Sequence, residues 1–153
     1  MITKLISDIE YAFATVEYPG DYNIAPIDGM EGSEVNDIFK GKSWRDIHFE
    51  AVSQLSYALL YFKPKAFIYF LPAFLIGCIK DQKAEFGSSC DTILICFTPP
   101  DNKDKAFEAR MKLFNKNQLN LIGRFLHYLM AIDIQEKSKI QSALNYIEQK
   151  IKA

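Results

Sequence analysis

Fourteen consecutive residues, Ala66 to Ile79 (AFIYFLPAFLIGCI), carry no charge and almost no polar group. A segment apolar on every side has to be surrounded, by lipid or by the rest of its own chain. A membrane-spanning helix needs about 20 predominantly apolar residues. This run is shorter, is interrupted by Pro72, and is bounded by Lys65 and by Lys80-Asp81. Its length and flanks predict no membrane span but a buried helix pair, with Pro72 either kinking the helix that Pro64 begins or starting another.

A buried centre requires amphipathic elements to cover it, and helical spacing dominates the rest of the chain. Ile2, Leu5, Ile6, Ile9, Phe13 and Val16 define one apolar face of a first helix, expected to stop near Tyr18-Pro19-Gly20. A short helix is expected over Glu34 to Lys40, capped by Ser33 and stopped at Gly41, with Ser43 capping a further turn. Ile47 to Phe62 reads as helix, and Pro64 suits the first turn of the next one. Thr92 to Thr98 (TILICFT) fits a strand or a buried helix by periodicity; a lone strand would lack a partner here, which favours helix. Lys105 to Phe114, a helix capped by Asn117 and running through Met130, and Ile134 to Ile151 complete the pattern. The expected fold is all-α: one domain over residues 1–153, with about six to eight helices and one long N-terminal loop.

That loop, Tyr18 to Ser33 (YPGDYNIAPIDGMEGS), holds Pro-Gly, Ala-Pro and Asp-Gly turn pairs. Connections this long are uncommon in small domains and are often functional, although Ile24, Ile27 and Met30 are also placed to pin it as packed coil. It opens the most acidic part of the chain. Residues 1–60 hold ten Asp/Glu against four Lys/Arg, a balance of −6, whereas residues 61–153 hold nine against fourteen, a balance of +5. Between Glu17 and Asp37 no basic residue occurs. The ordinary role of such a stretch is a solvated acidic surface. Its functional role would be a docking surface for a basic protein, formed by Asp21, Asp28, Glu31, Glu34 and Asp37 with Tyr18 and Tyr22 as aromatic anchors.

Motifs for chemistry fail on inspection. Gly41-Lys42-Ser43 resembles the end of a phosphate loop, but the required earlier glycine is Asn36, on an expected helix. Asp21 and Asn23 start a calcium-loop spacing that Ala25 and Pro26 break. His48 and His127 are the only histidines, and neither sits in a metal or nucleophile spacing, so both are expected as structural residues. No G-x-S-x-G elbow occurs. No cofactor or metal is therefore expected, and no catalytic residue is assigned. The pI near 6.1 and the absence of a Lys/Arg block argue against nucleic acid. Cys78, Cys90 and Cys96 form no CxxC pair and read as reduced thiols in a cytoplasmic protein, with Cys78 a small core residue.

Phe39-Lys-Gly-Lys-Ser-Trp44 and Tyr69-Phe-Leu-Pro-Ala-Phe-Leu75 give the patterns F-x-G-K-x-W and Y-x-L-P-A-F-L. With them, and with the helix led by Phe114-Asn-Lys-Asn-Gln118, the chain resembles a bacterial family of small proteins of unknown function. The resemblance implies an α-helical domain and brings no catalytic residues. In physical terms these segments are packing: Trp44 is expected to plug the core beside Phe67 to Phe74, and seven of the 21 aromatic residues fall between Tyr57 and Phe74.

The function expected from this reading is protein binding, specifically an immunity-type protein that neutralises a basic bacterial toxin domain by occluding it with the acidic loop. The alternatives are a helical small-molecule or lipid-binding domain using an aromatic groove, and an enzyme with a non-standard carboxylate site.

Overall fold

The computed structural model describes residues 2–81, 89–132 and 136–153. Among them are eight α-helices and no strand: α1 (Ile2–Ala12), α2 (Met30–Phe39), α3 (Phe49–Leu55), α4 (Pro64–Lys80), α5 (Ser89–Phe97), α6 (Lys105–Met111), α7 (Lys116–Ala131) and α8 (Lys137–Lys152). Two 3-10 turns, Trp44–Asp46 and Ser56–Leu60, flank α3. The chain is thus a single all-α unit, and Thr92 to Phe97 is helical, within α5.

The charge-free run forms the centre. It is one continuous helix rather than a pair: α4 starts with Pro64 in its first turn and passes through Pro72 without a break. Proline inside a helix removes one backbone donor and costs about 3 kcal/mol. That cost is offset because every residue from Ala66 to Ile79 is buried, and fully burying one large apolar side chain contributes about 1.5–3 kcal/mol. Gly77 lies so close to α3 that a Cβ there would meet Val52 Cγ1 at 2.7 Å.

The aromatic excess is spent on this centre. Phe39 of α2 lies 5.0 Å from both Phe62 and Phe70, and Phe62 stacks on Phe70 at 5.3 Å. Phe67 meets Phe97 at 6.0 Å and Phe114 at 6.3 Å, and Phe114 reaches Phe13 at 6.4 Å. Trp44 is buried on its 3-10 turn, which packs against α4. Phe67, Phe70 and Phe74 are fully buried, so no aromatic groove opens at these positions.

Several boundaries differ from the sequence reading for local reasons. α1 stops at Ala12, short of Val16: Ala14 N–H turns to Tyr11 O and Val16 N–H to Phe13 O, and the Ala12 carbonyl accepts from Gln118 Nε2 at 3.2 Å. The same Gln118 closes a capping box with Asn115, so Asn115 rather than Asn117 begins α7. α2 begins at Met30 behind Gly29, so the last residues assigned to the loop are helical and Ser33 is no cap. Gly41 does stop the segment, at φ +76°, and Ser43 Oγ accepts from Arg45 N–H at 3.3 Å as its cap. The beginning expected for α8, Ile134, lies outside the described residues.

Cys78 and Cys90 are joined by a disulfide between α4 and α5, with Cα atoms 5.3 Å apart. The reading of three reduced thiols is therefore corrected: only Cys96 is free, and it is buried. Among the described residues no helix is long and apolar enough to cross a membrane.

Candidate functional site

The acidic segment is an ordered loop, because its backbone polar groups are claimed by neighbours. Lys63 N–H donates to Ile24 O at 2.8 Å, and Lys63 Nζ donates to Tyr22 O at 3.2 Å. Asn36 Nδ2, from α2, donates to Ala25 O and to Gly32 O, each at 2.8 Å. Asn23 Nδ2 donates to Pro19 O at 3.1 Å, and Gly20 takes the turn at φ +96°. Ile24 and Ala25 are buried beneath these bonds.

The seven expected site residues divide into two groups. Tyr18 and Asp21 are used internally. The half-buried Tyr18 hydroxyl donates to Asp21 Oδ1 at 2.6 Å and accepts from Gly41 N–H at 2.7 Å, while its ring meets Tyr69 edge-on at 5.6 Å. Burial pushes the Tyr18 hydroxyl pKa up and the bond to Asp21 adds to this; the Gly41 amide opposes both. Tyr18 is thus a brace between the loop and the α2 stop, not a free anchor.

Tyr22, Asp28, Glu31, Glu34 and Asp37 are presented to solvent. Tyr22 is 87% exposed, with Lys40 Nζ 5.9 Å from its ring centre. Asp28 precedes α2, and Glu31, Glu34 and Asp37 follow at three-residue spacing along it, which places successive carboxylates on adjoining parts of its surface. None of the four carboxylates forms a salt bridge among the described residues. Glu34 also faces Tyr57, whose hydroxyl pKa is raised by burial first and by the Glu34 charge and hydrogen bond second.

Two residues for which the sequence also allowed a packing role are on the surface instead. Ile27 is 80% and Met30 84% exposed, in the same segment as Tyr22. Their apolar character was visible in the sequence, but their direction was not. Of the three apolar residues placed to pin the loop as packed coil, Ile24 alone is buried. Exposed apolar residues and exposed carboxylates thus alternate along one segment, on a backbone held in place.

The carboxylates are spread rather than convergent: among the described residues no group of three His, Cys, Asp or Glu side chains is placed to hold a metal ion. His48 and His127 are both exposed, contrary to the structural role expected for them. The Cys96 thiol is pushed up to about 11 by burial, against a smaller opposing effect of Arg110; a thiol so protonated is a poor nucleophile near neutrality.

The model of a family of unknown function, DUF6714, matches residues 1–151, and the chain belongs to that family. No curated protein and no solved structure matches it.

Proposed function

We propose, from membership of that family as the starting point, that this chain is a protein-binding module whose docking surface is the segment from Tyr22 to Asp37. The observation that carries this reading is the exposure of Tyr22, Ile27 and Met30 on a loop whose backbone is pinned by Asn36 and Lys63. Ordering a loop costs about 1–2 kcal/mol per residue in backbone entropy. Holding large apolar groups out in water on such a loop has no folding benefit, whereas it pre-pays the ordering cost of binding.

Exposed carboxylates alternating with exposed apolar residues suit a basic partner, because charge speeds encounter and apolar contact supplies the central energy. The specific form we propose is neutralisation of a basic bacterial toxin domain by occlusion: Asp28, Glu31, Glu34 and Asp37 pair with its cationic surface while Tyr22, Ile27 and Met30 fill its centre. Tyr18 and Asp21 contribute by holding the loop. In a bacterial cytoplasm, the setting this role implies, the Cys78–Cys90 bond meets reducing conditions, so thiol labelling of the protein in fresh cell extract belongs to the test of location.

Co-expression with a toxin domain encoded beside the gene tests the reading. Protection of growth by the wild type, lost on Tyr22→Ser, Ile27→Ser and Met30→Ser together with helicity unchanged, supports it. Equal protection by that variant, or none by the wild type, contradicts it.

A further inference from the structure

A cleft of about 560 Å³ opens on another part of the molecule, where the Thr98-Pro99-Pro100-Asp101 connection passes over α6. Leu60, Ile95, Pro99, Pro100 and Phe107 supply apolar walls. The size falls within the range of small-molecule sites, which runs from about 300 to 1,000 Å³.

Arg110 lines this cleft, and its guanidinium lies 5.1 Å from the ring centre of buried Phe67. Its Nε is buried and has no hydrogen-bond partner. It makes no salt bridge among the described residues either. A buried guanidinium donor without an acceptor is costly, and the planar fork of arginine matches a carboxylate. A second cation, Lys139, stands exposed at the same cleft and pairs with Glu136 at 3.4 Å.

We propose that this cleft binds a small organic carboxylate with an apolar body, its carboxylate on Arg110 and its body against Ile95, Pro99, Pro100 and Phe107. The two aspartates that also line the cleft narrow the ligand class. Asp104 is engaged by its own helix, accepting from Ala106 N–H at 2.9 Å and Phe107 N–H at 3.3 Å. Asp101 is exposed at the rim. Their negative charge disfavours multiply charged anions, so a monoanion with apolar bulk fits where inorganic phosphate does not. The site is independent of the acidic docking surface and does not rest on it.

Titration of the full chain with 3-phenylpropionate and with decanoate, followed by amide chemical shifts, tests the assignment. The expected result is saturable shifts centred on residues 95–110 and on Leu60 and Lys139, which line the same cleft. 3-Phenylpropionamide, of the same shape without the charge, is expected to bind about tenfold more weakly or worse, because it forfeits the charge-assisted bond. Arg110→Gln is expected to abolish carboxylate binding and Arg110→Lys to retain part of it. Ile95 is exposed, so Ile95→Asp leaves the core intact and is expected to repel the carboxylate even where Arg110→Gln fails to fold. Equal binding of acid and amide, shifts centred elsewhere, undiminished binding by folded Arg110→Gln or Ile95→Asp, or no binding by the wild type at millimolar acid would each overturn the proposal. Binding of inorganic phosphate as tight as that of either acid would overturn the monoanion assignment.

Discussion

The Asn36 side chain closes on both sides of Ala25. Its Nδ2 donates to the Ala25 carbonyl at 2.8 Å, and its Oδ1 accepts from the Ala25 amide at 3.4 Å. One amide on α2 thereby satisfies a buried turn of the loop as a strand partner would. Asn36→Ala is expected to lower stability by about 1–3 kcal/mol, the cost of leaving such groups without partners. The measurement is urea denaturation combined with hydrogen exchange. Faster exchange at the Ala25 amide with α7 unaffected identifies local release of the loop; an unchanged Ala25 rate shows that Asn36 does not hold it.

Gly32 tests the same junction by volume. A Cβ on this residue would overlap the Pro26 carbonyl oxygen. Alanine is favoured over glycine within a helix by about 1 kcal/mol, so propensity alone makes Gly32→Ala stabilising. A backbone carbonyl cannot rotate aside as a side chain does, and the overlap is expected to win, with a net loss of about 1–3 kcal/mol. An increase in the denaturation midpoint would show that the loop yields without cost.

The Cys78–Cys90 bond spans 12 positions. Closing a loop near this length stabilises by about 2–3 kcal/mol on the chain-entropy account. Reductant is expected to lower the urea midpoint of the wild type and to leave a Cys78→Ala/Cys90→Ala double variant unchanged. Cys96, with its thiol pushed up to about 11, is expected to alkylate only on unfolding. A reductant-insensitive wild type, or one alkylated at three sites while folded, would remove the disulfide from the native protein.

Asp8 links α1 to α7 through Arg124 Nη1 at 2.8 Å, with Lys4 at 3.1 Å on its own helix. The Arg124 hydrogen bond first, and the Lys4 bond second, hold its carboxyl below the ordinary value of 3.8. A depressed acid stabilises the folded state fully above its unfolded value, and the effect is lost as the pH falls through the folded value. The loss is therefore expected below about pH 4, and Asp8→Asn is expected to flatten that part of the stability profile. The pair is exposed, so the slope is small and shrinks with salt. Identical acid limbs for variant and wild type would show that the link contributes nothing.

How far the sequence spoke for itself differs by feature. The burial of Ala66 to Ile79 was legible because a run with no polar face leaves no other arrangement. Its continuity was not, since Pro72 breaks an isolated helix and only the surrounding core overrides it. Gly41, Ser43 and Pro64 marked their boundaries because each acts within its own turn. The end of α1 was hidden, because no glycine or proline marks it and the Ala12 carbonyl accepts from Gln118, far along the chain. The carboxylates of the candidate surface stood out by composition. Ile27 and Met30 did not, since apolarity in a loop does not say which way a side chain turns. The disulfide and the stacking of Arg110 on Phe67 both depend on tertiary neighbours and have no local signal.

The most direct test of the docking account is the dissociation constant for a basic toxin domain of the kind proposed as partner. It is measured at low and at high salt for the wild type, for Asp28→Asn/Glu31→Gln/Glu34→Gln/Asp37→Asn, and for Tyr22→Ser/Ile27→Ser/Met30→Ser. The account expects each folded variant to bind at least about tenfold more weakly, a loss of about 1.4 kcal/mol or more. It expects wild-type binding to weaken with salt and the charge variant to lose most of that dependence. Unchanged affinity in both variants, or wild-type binding indifferent to salt, would contradict it.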